Sequence, residues 1–172
     1  MADIAEILKR AKPREKSVFL CLAGDLIAEI DRLERDLSDQ GSTWRPESLA
    51  SSNPAEKIAK KIKAVREQMK RAETEFRFQA LGYKMWSDMI AAYPSKNENE
   101  RWDPETFPRA LISACCVDPV MNGTQVAELF EVLNEAQRDE LAQAAYDVNA
   151  EATSIPFSVS ASGILAAITD AK

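Results

Sequence analysis

The side chains whose types and spacing come nearest to chemistry are two carboxylate pairs, Asp25/Glu29 and Asp139/Glu140, and one vicinal thiol pair, Cys115–Cys116. A carboxylate pair does acid/base work only where its environment drives the two pKa values apart. On helical stretches such neighbours are ordinarily a solvated face. A thiol reacts as thiolate, which a nearby cation favours. The stretch around Cys115 is apolar and has no cation nearby in sequence, so packed, inert thiols are the expectation. The 172-residue chain has no histidine, which removes the imidazole base, the usual proton shuttle and the commonest metal ligand. Triad hydrolysis and HExxH chemistry are excluded with it. Neither a P-loop nor a GxGxxG motif occurs. The third cysteine, Cys21, completes neither a CxxC nor a metal spacing, and an odd count with one vicinal pair makes a poor disulfide framework. The expectation is a non-enzyme with no cofactor and no metal, its thiols reduced in a cytoplasm.

The net charge of -6 favours solubility and disfavours general polyanion binding. It conceals an asymmetry: residues 53–77 hold eight basic and four acidic side chains, whereas from Phe78 onward six basic face fourteen acidic. A basic helix followed by an acidic half implies intramolecular pairing, head-to-tail self-association or a charged partner. Lys57, Lys60, Lys61 and Lys63 have the footprint of phosphate contact. Single-strand recognition also wants aromatic side chains among the cations, and Phe76 and Phe78 lie beyond them in a segment that reads as core. Trp44 and Trp102 stand in polar stretches, where each either folds back on the core or anchors a partner.

The elements that must position these groups follow from spacing. Asp3 caps a short helix with Ile4, Ile7 and Leu8, ending before Pro13. Ser17–Leu22 reads as a buried strand, and from Asp25 the spacing Leu26, Ile30, Leu33, Leu37 is helical, stopping near Gln40–Gly41. Asn53-Pro54-Ala55-Glu56 is a strong helix start. The helix it opens carries a narrow stripe, Ile58, Ile62, Val65 and Met69, suited to one partner helix. Phe76, Phe78 and Ala80 then alternate with Arg77 and Gln79 as a strand. Helices are expected at Tyr83–Tyr93, from Phe107 to Val117 before Asp118-Pro119, from a Thr124 cap, and from an Asn134/Gln137 capping box. The fold class is mainly α with a small β component (α+β): amphipathic helices plus two short strands, each followed by a helix. The organisation is residues 1–40 as a strand/helix unit, 41–53 as linker, 54–150 as a helical main region with one strand, and 151–172 as a C-terminal segment, all in one compact domain. No stretch approaches a membrane span, and Asp3 and Glu6 replace a signal-peptide pattern. The stripe Ile58/Ile62/Val65/Met69 and the end piece Ile164/Leu165/Ile168 are the candidate partner-binding residues, with core or self-association as the alternative.

The ordered set Val18–Leu37, Glu75-Phe76-Arg77-Phe78-Gln79-Ala80-Leu81-Gly82 with Trp86-Ser87-Asp88-Met89, and Tyr93-Pro94 resembles the tail assembly chaperones of long-tailed bacteriophages. So do Asp103–Pro108 with Leu111–Cys115, Asp118-Pro119, and Val148-Asn149 with Pro156-Phe157-Ser158. The resemblance spans roughly residues 17–160. It implies a non-catalytic helper in the cytoplasm of an infected or lysogenic bacterium. Such a helper binds the long, apolar, helical tape measure protein and keeps it soluble until tail tube subunits polymerise around it, and is absent from the finished virion. It further implies homo-oligomers and, in many members, a longer frameshifted form of the same chain. The competing expectation is a phage-type structural or regulatory protein that binds nucleic acid through the Lys-rich helix 54–72.

Overall fold

The computed structural model describes residues 3–43 and 53–152, which form seven helices and one three-stranded antiparallel sheet in an α+β fold. In chain order these are α1 (Ile4–Arg10), β1 (Glu15–Cys21), α2 (Gly24–Thr43), α3 (Pro54–Arg71), β2 (Glu73–Gln79), α4 (Tyr83–Ala92), α5 (Phe107–Cys115), β3 (Cys116–Asp118), α6 (Gly123–Val132) and α7 (Glu135–Ala150).

Strands β1 and β2 pair antiparallel from Glu15↔Gln79 to Cys21↔Glu73. Their two-residue periodicity decides which face is dry. Val18, Leu20, Phe76 and Phe78 point inward and are buried, whereas Phe19 on the other face is 56% exposed. The segment expected to be buried throughout is therefore a strand buried on one face. The inner face packs on α5 and α7, which contribute Phe107, Leu111, Ile112, Leu141, Ala144, Ala145 and Val148 to one continuous core. Helix α7 is tied to β1 at both ends. Gln137 donates to the Cys21 carbonyl (3.1 Å), and Lys16 and Arg14 pair with Asp147 and Glu151, both at 2.6 Å. Asn149 is a further clasp: its Oδ1 accepts from the Leu81 N–H (2.7 Å), and its Nδ2 donates to the Ala145 carbonyl and the Cys115 sulfur.

Three expectations are corrected. The sheet has three strands, not two, because α5 ends at Cys115 and the next three residues pair with β2. Pro119 disfavours helical backbone at Asp118, the last residue of that strand. Helix α6 is capped by Asn122, two residues before Thr124, in a reciprocal box with Gln125. Helix α2 continues through Thr43, past the expected stop and into the stretch read as linker. The Asn134/Gln137 box stands as expected at the start of α7.

The connection between β1 and β2 is the helical hairpin α2–α3. Leu26, Ile30, Leu33 and Leu37 of α2 meet Ile58, Ile62, Val65 and Met69 of α3 in a second hydrophobic cluster, separate from the body core. Both sets repeat at spacings of four, three and four, the a/d pattern of a short coiled coil. At 20 residues and 1.5 Å per residue, α2 alone is about 30 Å long. The hairpin is an arm with its own seam.

Candidate functional site

An aromatic cluster gathers where α4, the loop 93–106, α5 and α7 meet. Trp102 stacks on Phe107 with ring centroids 4.7 Å apart and lies 5.3 Å from Tyr146. Trp86 adds edge and tilted contacts to Phe107 and Tyr146 at 6.1 and 6.0 Å, and Tyr93 meets Phe107 at 6.4 Å. Such offset and edge-to-face pairs contribute roughly 0.5–1.5 kcal/mol each beyond burial. Asp103 sets the position of Trp102. Its N–H donates to the Tyr93 carbonyl (2.9 Å), and its Oδ1 accepts from the N–H groups of Glu105 and Thr106 at 2.8 and 3.2 Å. The Glu105 bond foremost holds the Asp103 carboxyl below its ordinary pKa.

Beside this cluster runs an open groove of about 840 Å³ between α5 and α7. Trp102, Phe107, Leu111 and Tyr146 make its apolar floor, and Asp139 and Glu140 stand on its α7 side. Helix α7 serves two neighbours through its 3.6-residue period. Leu141, Ala144, Ala145 and Val148 face the core, while Ala136, Asp139, Gln143 and Tyr146 border the groove. An apolar floor with acidic side chains on one wall is chemically suited to hold apolar side chains of a helix or extended segment that carries basic neighbours. It offers no nucleophile–base pair.

The other candidates fall elsewhere. Trp102 folds back on the core, as the first of its two readings has it. Ile58, Ile62 and Val65 are buried against α2, with Met69 packed at the edge of the same cluster. A partner reaches that stripe only by displacing α2. Ile164, Leu165, Ile168 and Trp44 lie outside the described residues. On α2 Asp25 is exposed and Glu29 half-buried, and Glu29 pairs with Arg32 at 4.0 Å. Cys115 and Cys116 are buried and unbridged, and burial pushes the Cys115 thiol up to about 11 and raises Cys116 as well. Lys57, Lys60, Lys61 and Lys63 are exposed on α3. Among the described residues no group of three or more cysteine or carboxylate side chains comes together to hold a metal ion.

Sequence reasoning did not single out Phe107, Leu111 and Tyr146 as site residues. Phe107 and Leu111 lie in a segment whose apolar spacing signals only a helix, and Tyr146 gives no local signal because its neighbours Ala144, Ala145 and Val148 set the periodicity of α7. No protein-family model, curated protein or solved structure matches the chain. No helix among the described residues is long and apolar enough to cross a membrane.

Proposed function

We propose that the protein is a tail assembly chaperone of the kind its sequence resembles, a non-catalytic cytoplasmic helper that binds the tape measure protein and keeps it assembly-competent. The single observation that supports a client site is the α5–α7 groove, with its aromatic floor and acidic wall. A tape measure protein is a long helical client with apolar side chains recurring each turn. One such turn presents anchors to Trp102, Phe107, Leu111 and Tyr146, and basic neighbours of those anchors face Asp139 and Glu140. Individual contacts of this size are modest, and many copies along one filament bind it by avidity.

Co-expression with the tape measure product of the same genome tests the reading. Soluble yield of the client rises with the wild-type chain and falls back with Asp139→Lys/Glu140→Lys, whose exposed positions leave the core untouched. Unchanged client solubility beside a well-folded chain counts against the proposal. The alternative, nucleic-acid binding through the Lys-rich helix, draws support from the exposed lysines of α3. The acidic α2 packed beside them opposes it. That alternative predicts steeply salt-dependent binding lost on neutralising Lys57, Lys60, Lys61 and Lys63.

A further inference from the structure

The arm segregates its charge by helix. Residues 24–43 of α2 carry six acidic side chains against two arginines, net -4, while residues 54–71 of α3 carry seven basic against two acidic, net +5. The two helices meet through their apolar seam, and only one ion pair crosses it among the described residues, Arg66–Glu34 at 3.0 Å. Within α2, Arg32 pairs with Glu29, and Arg35 donates to the Asp31 carbonyl. Among the described residues Lys57, Lys60, Lys61 and Lys63 form no ion pair, and no described side chain of the arm belongs to the body core. An acidic outer face and a basic outer face therefore lie side by side on one projecting element.

We infer that the arm is a self-association element, in which the acidic face of α2 docks on the basic face of α3 from a second copy of this chain. Charge complementarity selects that occupant. A two-fold arrangement makes the α2–α3′ contact twice, since what one copy offers the other accepts. The four helices then alternate in sign around a bundle, each basic helix flanked by acidic ones. A polyanion is the poorer occupant. Packed helix axes are about 8–10 Å apart, close to the screening length of about 8 Å at physiological salt, so a phosphate chain on α3 also meets the field of α2. The inference stands apart from the groove, because none of its residues borders it.

Sedimentation velocity of the full chain at low and high salt tests this. The wild-type chain associates at low salt, and raising sodium chloride from about 50 to 500 mM weakens the association by roughly tenfold or more, as exposed opposite charges are screened. Lys57→Gln/Lys60→Gln/Lys61→Gln/Lys63→Gln, which removes attraction without adding repulsion inside the arm, loses self-association while circular dichroism shows its helix content kept. The reversal Lys57→Glu/Lys60→Glu/Lys61→Glu/Lys63→Glu is monomeric alone but pairs when mixed with Glu29→Lys/Asp31→Lys/Asp36→Lys. A wild-type chain that stays monomeric at low salt overturns the inference. So does association that the Gln variant retains, or an oligonucleotide bound by the monomer through the same lysines.

Discussion

Substituting Leu33 by alanine separates the arm from the body. Leu33 is 6% exposed and sits mid-seam, with Ile58, Ile62 and Val65 buried to a similar degree across from it. Leu→Ala in a packed interior costs about 2–5 kcal/mol, depending on how far the site collapses. A two-helix seam is open to water on both flanks and collapses readily, so the lower part of that range applies, about 2–3 kcal/mol. At 1.36 kcal/mol per decade, the opening constant of the arm rises roughly 30- to 160-fold. Hydrogen exchange read by mass spectrometry localises the effect. Peptides from 24–43 and 54–71 lose protection by that factor, while β1, β2 and α7 keep theirs. Equal loss across β1 and β2 would show that arm and body open as one unit, and would refute the two-cluster description.

Further expectations concern the body. Ellman's reagent modifies the half-buried Cys21 first, and Cys115 last. A thiol with its pKa pushed to about 11 is thiolate in only about one part in a thousand at pH 8; fast labelling of Cys115 in native protein contradicts its burial. Asn134→Ala removes the reciprocal cap of α7 and costs about 0.5–2 kcal/mol in urea unfolding. Asp147 is held below the ordinary carboxylate value of 3.8 by the hydrogen bond from Lys16 first, with a further one from Gln143. A depressed folded-state pKa stabilises the fold in full above that ordinary value, and the contribution disappears as pH falls through the depressed one. Asp147→Asn therefore lowers the urea midpoint at pH 7 and narrows the difference between pH 7 and pH 3. An unchanged difference refutes the assignment.

Much of the fold is legible because its signals are local. The 26/30/33/37 and 58/62/65/69 spacings name two helices with one apolar stripe each, and the narrowness of the second stripe already asks for one partner helix. That the partner is α2 is a tertiary fact, fixed by the pairing of β1 with β2, which brings the two helix ends together. Strand β3 escapes because three residues are too few to show alternation, and Cys116 and Val117 continue an apolar run that reads as helix. The Asn134/Gln137 box is written in sequence, whereas the Asn122/Gln125 box is overshadowed by Thr124, an equally good capping residue. The groove is the least legible part. Its floor draws on a loop tryptophan, the first turn of α5 and the late middle of α7, segments whose proximity depends on the packing of all three.

The client-binding claim is tested most directly by fluorescence anisotropy of labelled helical peptides, cut from the tape measure protein of the same genome and titrated with the full chain. Ala142→Trp, at a half-buried position bordering the groove, places a bulky ring over its floor. Apolar peptides with basic flanks are expected to bind saturably, and Ala142→Trp to weaken that binding at least about tenfold, a change of roughly 1.4 kcal/mol. Peptide binding that the folded Ala142→Trp chain retains in full, or no binding by the wild-type chain, would contradict it.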